Sequence, residues 1–304
     1  MRLNLRQSLL AGLCLSFFIV LFSSLPNRGL VFPQMINSGH AFVFFCANLF
    51  LLRLFLGSFG TFRQISFISI FSITIGLLIE LIQPNFGRDN SVLDFSYDVL
   101  GVTFSALFFA QKSPAAIKIK VLLLCIFLGI SSLIPLYKLE LWWKVNQSPA
   151  LLNFERPWED QIYSLDKDVS LQKIKASKLF KAEGHAGKLI INSVETYAGF
   201  SLNHAKSDWS EYSTLNWEIV SLYDSPISMT LRVHDSIHND EFSDRFNETF
   251  TIDPGFNSFE VDLTKIKAAP ISRELKMEHI SNVKFFLIRP EMNTILYIDN
   301  IQLQ

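Results

Sequence analysis

Residues 76–101 read GLLIELIQPNFGRDNSVLDFSYDVLG and place ionisable side chains at the adjoining ends of two apolar segments. Glu80 and Gln83 stand three residues apart in the last turn of the first segment, so they share one helix face. Pro84 cannot continue that helix and opens a short loop that carries Arg88. The pattern predicts a helix, a tight loop and a second helix.

The second apolar segment carries a stripe of polar and small residues. Asp94, Asp98, Gly101 and Ser105 recur at spacings of four, three and four, which places them on one side of a helix. Ionisable groups inside apolar helices are costly. We therefore expect the two helices to present their carboxylates to each other, and this pair of helices is the first candidate for a functional site.

Composition divides the chain into two parts. The 304 residues include 29 Phe, and nearly all long apolar runs end by residue 137. Up to that point nine Lys and Arg face four Asp and Glu, whereas the remainder is acidic. No basic stripe with interleaved aromatic residues is present, which argues against nucleic acid as a partner. We predict a membrane domain at residues 1–137, a linker at 138–150 and a β-domain at 151–304.

The membrane domain is predicted to be an α-helical bundle of about five transmembrane helices. Crossing a bilayer takes about 20 apolar residues. The predicted segments are residues 9–25, 40–57, 65–83, 92–110 and 121–137. The first could be a signal peptide, but the SSLPN that follows lacks a small-x-small cleavage site, which favours an uncleaved anchor.

The basic residues of the loops predict the orientation. With a cytoplasmic N-terminus, the inner loops hold Arg2, Arg6, Arg53, Arg63, Lys112, Lys118 and Lys120. The outer loops then hold only Arg28 and Arg88, in agreement with the positive-inside rule. Five crossings place the β-domain outside the cytoplasm. They place on that same side the polar residues His40, Glu80, Gln83, Arg88, Asp94 and Asp98. All three Cys lie in apolar segments, so no disulfide framework is expected.

Strand patterns replace the apolar runs after the linker. Apolar and polar residues alternate through residues 227–234, and similar alternation follows at 215–219 and 259–263. One face of the last strand is predicted to carry Ile295, Tyr297, Asp299, Ile301 and Leu303. Asp253, Pro254 and Gly255 form a turn sequence. Many short alternating strands predict an antiparallel, all-β jelly-roll sandwich.

The first half resembles the VanZ-like membrane family. The resemblance covers about residues 8–112 and rests on SGH at 38–40 and on Glu80, Gln83, Arg88, Asp94 and Gly101. Asp98 departs from the Asn that is usual in the family. The resemblance implies a multi-pass protein of the bacterial cytoplasmic membrane, in a cell-envelope family linked to low-level glycopeptide resistance.

The second half resembles carbohydrate-binding modules of the galactose-binding-like type. The segments that carry this resemblance are LLNFE at 151–155, DWSEYSTLNWEI at 208–219, DRF at 244–246, DPGFNSFEV from 253 and LYIDNIQL from 296. Such modules accompany catalytic or membrane domains in proteins that handle polysaccharide, although the fold alone does not establish sugar binding.

The membrane half offers one candidate catalytic or polar site, composed of His40, Glu80, Gln83, Arg88 and Asp94. Glu80 could act as a base and His40 as a proton carrier or metal ligand. Arg88 suits a phosphate or carboxylate because its guanidinium bonds oxygen pairs. Two alternatives remain open: the side chains only hydrogen-bond the helices together, or His40, Glu80, Asp94 and Asp98 hold a divalent ion.

The β-domain offers weaker candidates. Trp209 and Tyr212 could stack on a sugar, or they could close the entrance of a strand. Glu155 and Asp299 could meet and hold a structural calcium ion, although calcium needs roughly six to eight oxygens.

Three functions fit these residues. The first is a binding protein whose exported sandwich captures envelope glycan or a lipid-linked precursor while the helices lie among membrane lipid. The second is a membrane hydrolase or transferase that acts on such a substrate, and the third is a structural subunit without chemistry. The sequence lacks G-x-S-x-G, H-E-x-x-H, P-loop and paired C-x-x-C motifs, which favours binding over catalysis.

Overall fold

The chain forms two compact units, Met1–Glu140 and Leu141–Gln304. The computed structural model describes residues 29–57, 60–86, 91–112, 116–176, 179–180, 183–192 and 195–304. The predicted first apolar segment, residues 9–25, and the predicted site residue Arg88 lie outside the described residues.

Four long helices make up the described part of the first unit. They are α1 (Phe32–Leu56), α2 (Phe62–Ile82), α3 (Val92–Ala110) and α4 (Ala116–Asn146). All four are long and apolar enough to cross a membrane. Helix α2 begins at a capping box formed by Thr61 and Gln64. Helix α3 is capped by Ser91, whose side chain accepts a hydrogen bond from the Asp94 N–H. These helices confirm the helical first half that the sequence predicts.

Helix α4 is much longer than the predicted segment 121–137. It runs on to Asn146, so most of the predicted linker 138–150 is helical. Leu141 and Val145 are buried in this extension, and its sequence contains no Gly or Pro after Pro135 until Pro149. Leu141 and Val145 lie one helical turn apart, and their burial favours a continued helix over the predicted linker.

The predicted stripe of α3 faces the interior of the helical unit. Asp94, Asp98, Gly101 and Ser105 are all buried. Gly101 has no side chain, and a Cβ added there would collide with the Ala41 carbonyl oxygen of α1. Because Gly101 lacks a Cβ, the backbones of α1 and α3 can approach closely, as they do at small residues in membrane helix pairs.

The second unit is a sandwich of two antiparallel sheets. Its strands are β1 (Ala150–Leu152), β2 (Tyr163–Leu165), β3 (Val169–Lys175), β4 (His185–Ile191), β5 (Tyr197–Leu202), β6 (Thr214–Ser221), β7 (Ile227–Asp235), β8 (Phe246–Ile252), β9 (Gly255–Asp262), β10 (Ile280–Ile288) and β11 (Thr294–Leu303), with a short helix α5 (Leu263–Lys267). One sheet has the order β3-β4-β11-β6-β9, with β1 paired to β11, and the other has the order β2-β5-β10-β7-β8. The sequence-based prediction of an all-β sandwich is confirmed.

Strand β11 departs from the predicted alternation. Ile301 and Leu303 join the core together with Leu296 and Ile298, rather than sharing a face with Tyr297. The register shifts between Asp299 and Gln302, where Asn300 has a φ of 52°. A β-bulge adds one residue to a strand and reverses the alternation beyond it, so the single-face prediction for this strand is wrong.

We expect residues 148–304 to fold without the helices. The main core cluster of the sandwich draws all its members from the second unit, and a domain with its own core can fold alone. The fragment should begin before Pro149, because the Leu303 N–H donates to the Pro149 carbonyl at 2.9 Å. Urea unfolding followed by circular dichroism should show one cooperative transition. A gradual, non-cooperative loss of signal would contradict an independent domain.

Candidate functional site

Three helices bring the predicted polar residues together at one place in the helical unit. His40 comes from α1, Glu80 from the end of α2, and Asp94 and Asp98 from the first turns of α3. Each of these four residues is at most 4% exposed. We call them the helix cluster. They face one another because each lies on the side of its helix that packs against the other two helices, where all four are buried.

His40 lies between the two aspartates of α3. Its Nδ1 is 3.0 Å from Asp98 Oδ1, and its Nε2 is 3.9 Å from Asp94 Oδ2. An ionised carboxylate only accepts hydrogen bonds, so Nδ1 is the donor to Asp98. In the neutral imidazole, Nε2 is then the nitrogen that carries a lone pair, on the side of Asp94.

Glu80 is tied to the beginning of α3. Its Oε2 accepts a hydrogen bond of 2.9 Å from the Ser91 N–H, while Ser91 Oγ caps the Asp94 N–H at 3.2 Å. The end of α2 and the start of α3 are thereby held together. One ligand atom each of His40, Glu80 and Asp94 lies within 4.8 Å of the others. The cluster can therefore offer two carboxylates and one imidazole to a single bound atom.

Of the other two predicted members of this site, Gln83 and Arg88, the structure describes only Gln83. Gln83 is buried at the start of a short 3-10 helix, Gln83–Phe86, and Arg88 lies outside the described residues. The predicted catalytic set did not include Asp98, although the divalent-ion alternative did. The structure shows Asp98 as the partner of His40, on the same stripe as Asp94.

Trp209 belongs to the core of the sandwich. It is 1% exposed, and its Nε1 donates to the Lys206 carbonyl at 2.8 Å. Tyr212 is half-buried and packs against the same core. The Trp209 ring is enclosed by protein, so it offers no face for a sugar, and its position fits the alternative of closing a strand entrance.

Glu155 and Asp299 lie in an acidic region beside β11. Burial raises the pKa of Asp299 to about 7, and the negative charges of Glu218, Glu155 and Glu159 add to this effect. The Glu155 carboxylate accepts one hydrogen bond from the His185 backbone N–H. Among the described residues, no three carboxylates in this region have oxygens within 4.8 Å of one another. The calcium site therefore stays a prediction, and the structure adds Glu218 and Glu159 as neighbours.

We expect the stability of the sandwich to reveal whether calcium binds beside Asp299. A carboxyl group whose pKa is raised by folding costs stability once ionised, so this cost grows from about pH 4 upward and is full above the folded-state pKa. Asp299→Asn should therefore raise the melting midpoint at pH 8 in the absence of calcium. Calcium should raise the wild-type midpoint at pH 8, raise it less at pH 5, and leave the variant unchanged. Identical wild-type midpoints with calcium and with chelator at pH 8 would contradict the site.

A second surface of the sandwich was missed by sequence reasoning. Side chains of β5, β7, β8 and β10 that point away from the core form what we call the β10 face, composed of Tyr197, Arg232, Asn247, Lys284 and Phe286. Tyr197 is 53% exposed and meets the Phe286 ring edge-on at 5.6 Å. Only Arg232 lies in a segment whose alternation predicted a strand, and only the order of the strands shows that these five residues share one face.

Positive charge and unpaired donors concentrate on the β10 face. The Arg232 guanidinium lies 4.9 Å from the centre of the Phe286 ring, and its Nε donates to Asn247 Oδ1 at 3.2 Å. Burial lowers the pKa of Arg232, and the nearby charge of Arg245 adds to this effect. Within the described part of the chain, Asn247 Nδ2 on this face is buried without a hydrogen-bond partner, and so is Nε of Arg245, which lies outside the face. A buried donor without a partner costs free energy, which a ligand oxygen can recover.

Comparison with known proteins gives a fold likeness for the sandwich. No family model matches the chain, and no curated protein matches it. Among solved structures it is similar to an exo-β-agarase, with 18% identity, a TM-score of 0.42, and coverage of 52% of this chain and 25% of that one. It is also similar to the family 11 carbohydrate-binding module of Clostridium thermocellum in complex with a β-1,3-1,4-mixed-linked tetrasaccharide, with 15% identity, a TM-score of 0.36, and coverage of 46% and 86%.

The two units of the chain are of different kinds. The chain combines a unit of apolar helices that could cross a membrane with a β-sandwich that resembles carbohydrate-binding modules and domains of glycoside hydrolases. The chain spans only a quarter of the agarase. The VanZ-like resemblance of the helical unit has no matching family model and stays a prediction.

Proposed function

We propose that this protein is a bacterial cell-envelope membrane protein that binds envelope glycan or a lipid-linked glycan precursor. In this proposal the helices anchor the protein in the cytoplasmic membrane and the sandwich binds the glycan outside the cytoplasm. The observation that carries it is the β10 face, where the exposed Tyr197 packs on the Phe286 ring, which Arg232 and Lys284 also contact. Asn247, the partner of Arg232, has an unpaired amide nitrogen on this face.

The chemistry of this face suits a sugar. An aromatic ring offers an apolar surface to the C–H groups of a pyranose, while amide and guanidinium groups donate to hydroxyl oxygens. Lys284 Nζ is held 2.8 Å from Asp166 Oδ1, which fixes it beside the ring of Phe286. A small set of oriented polar groups around an apolar surface is typical of ligand sites.

We expect Tyr197→Ala and Asn247→Ala each to weaken glycan binding about tenfold, which corresponds to about 1.4 kcal/mol. Affinity electrophoresis of the purified protein in gels that contain peptidoglycan fragments, teichoic acid or mixed-linked glucan measures the change. Phe256→Ala is the matched control, because Phe256 is an exposed aromatic residue of β9 in the other sheet. Equal retardation of all three variants and the wild type would contradict binding at this face.

A membrane enzyme is the second candidate function. The observation that favours it is the His40–Asp98 pair beside Glu80 and Asp94 in the helix cluster. A carboxylate-oriented imidazole next to carboxylates can accept and transfer protons. Turnover of a lipid-linked precursor that is lost in Glu80→Gln, with unchanged protein abundance, would favour this function over binding. A structural subunit would show neither binding nor turnover.

The proposed orientation predicts which compartment each fusion point reaches. The distribution of basic residues among the loops predicts that Gln111 lies in the cytoplasm and Gln304 outside it. Alkaline phosphatase fused after Gln304 should be active, whereas fluorescent protein fused after Gln111 should fluoresce. Active phosphatase at Gln111, or fluorescence without phosphatase activity at Gln304, would overturn the orientation.

A further inference from the structure

We infer that the helix cluster binds one divalent transition-metal ion through His40, Glu80 and Asp94, with Asp98 holding His40 in the ligating orientation. This site belongs to the helical unit and does not depend on glycan binding by the sandwich. Imidazole and carboxylate together suit ions of the zinc or manganese type, whereas calcium and magnesium prefer oxygen alone.

The first support is the convergence of donors from three helices. His40, Glu80 and Asp94 each offer a ligand atom within 4.8 Å of the other two, and all three residues are buried. Ligands bound to one ion at about 2.0–2.2 Å lie within about 4.4 Å of each other, so a small adjustment of side-chain rotamers closes the set. Helix ends fixed by Ser91 keep Glu80 and Asp94 in this relation.

The second support is the orientation of the imidazole. Ligating histidines commonly donate their other ring N–H to a carboxylate, which fixes the tautomer and strengthens the ligand. His40 does this through Nδ1 to Asp98 Oδ1 at 3.0 Å. Its Nε2 is then the lone-pair nitrogen and faces Asp94. Asp98 is thus a positioning residue, which gives a reason for a carboxylate at this place on the stripe.

The third support is an unpaired carboxylate oxygen. Glu80 is 4% exposed, and its Oε1 has no hydrogen-bond partner among the described residues. Its other oxygen is used by the Ser91 N–H. Buried charges are normally paired or bound to metal, and a cation among Glu80, Asp94 and His40 would satisfy this oxygen.

The guanidinium of Arg88 is the competing source of positive charge. The sequence places it in the loop between α2 and α3, outside the described residues. A guanidinium ion would neutralise the carboxylates, and one of its N–H groups could also donate to the lone pair of His40 Nε2. An Arg88→Ala variant therefore distinguishes a bound metal ion from the Arg88 guanidinium.

The test uses the full-length protein in detergent, with any affinity tag removed and metals stripped with chelator. Equilibrium dialysis against Zn²⁺ alone, followed by elemental analysis, should give one ion per chain. Glu80→Gln and Asp94→Asn should each lose this ion. Asp98→Asn should bind about 10–100-fold more weakly, as expected for loss of an outer-sphere carboxylate. Ser105→Ala is the matched control, because Ser105 is buried on the same face of α3 and should leave binding unchanged.

Thermal unfolding of the wild-type protein tests zinc binding even if one of the variants does not fold. Thermal unfolding of the wild-type protein should shift upward with added Zn²⁺, because a ligand of the native state stabilises it, whereas Ca²⁺ should not produce this shift. The inference is overturned if folded wild type binds no zinc beyond the Asp94→Asn background or shows no thermal shift. It is equally overturned if zinc binds only after Arg88→Ala, because Arg88 would then supply the positive charge. Loss of zinc binding would leave the glycan proposal intact, since that proposal concerns the sandwich.

Discussion

Arg273→Ala is expected to lower the free energy of unfolding of the sandwich by about 3 kcal/mol. Arg273 Nη2 donates to Asp235 Oδ1 and to Asp244 Oδ2, both at 2.9 Å. The Asp235 side chain is 0% exposed, so removal of the guanidinium leaves a buried charge without its partner. Asp235 also accepts the Lys276 N–H at 2.8 Å, which connects the end of β7 to the segment before β10.

The same ion pairs make the sandwich sensitive to acid. Burial raises the pKa of Asp235, but hydrogen bonds from Arg273 and the Lys276 N–H outweigh burial and hold that pKa below its usual value. Hydrogen bonds from Arg273 hold the pKa of Asp244 well below its usual range. A carboxyl pKa depressed by folding contributes stability above the unfolded-state pKa of about 3.9, and this stability is lost as the pH falls below it.

Urea unfolding of residues 148–304 at pH 7 and pH 3 measures both effects. The wild type should lose stability between these values, and Arg273→Ala should lose less because its carboxylates no longer have depressed pKa values. Lys265→Ala is the matched control: Lys265 pairs with Glu248 at 3.4 Å but is 64% exposed, so its removal should cost less than about 1 kcal/mol. Equal stability of the Arg273 and Lys265 variants at pH 7 would contradict the structural role of this network.

Gly101→Ala is expected to destabilise the helical unit by about 3 kcal/mol. The added Cβ would overlap the Ala41 carbonyl oxygen and lie 2.8 Å from the Phe45 backbone nitrogen. Backbone atoms cannot move aside as a side chain does, so α1 and α3 would have to separate. His40 precedes Ala41 directly and Asp98 lies one turn before Gly101, so separation would also break the His40–Asp98 hydrogen bond.

Gly129→Ala is the matched control for this prediction. Gly129 lies within α4, and a Cβ added there meets no other atom within 4 Å among the described residues. Alanine should therefore keep or raise stability, because it favours helix over glycine by about 1 kcal/mol. Thermal unfolding of both full-length variants in detergent, followed by size-exclusion chromatography, compares them. Equal midpoints would show that α1 and α3 do not depend on a close approach at Gly101.

Short-range patterns in the sequence determined the architecture. Apolar runs and Pro84 predicted helices that the structure contains, because hydrophobic length and helix-breaking residues act locally. Alternating residues in β7 predicted its buried and outer sides for the same reason. Insertion in a membrane and the orientation remain predictions, since they depend on a bilayer.

Local patterns failed where the outcome depended on distant partners. The apolar run ends at Tyr137, which predicted a linker from residue 138, but burial of Leu141 and Val145 extends α4 to Asn146. The bulge at Asn300 reversed the alternation of β11. Trp209 looked available for a sugar, yet the Lys206 carbonyl and the core enclose it.

The sequence by itself determined two units, their helices and strands, and a polar stripe on α3, because each of these follows from residues close together in the chain. Only the tertiary structure decided that Asp98 pairs with His40, 58 residues away, and that Asn247, Arg232 and Lys284 adjoin on the β10 face. Hydrogen bonds and ion pairs between distant residues depend on how helices pack and on the order of strands in a sheet. Periodicity states which side of an element is polar, whereas packing decides what that side meets.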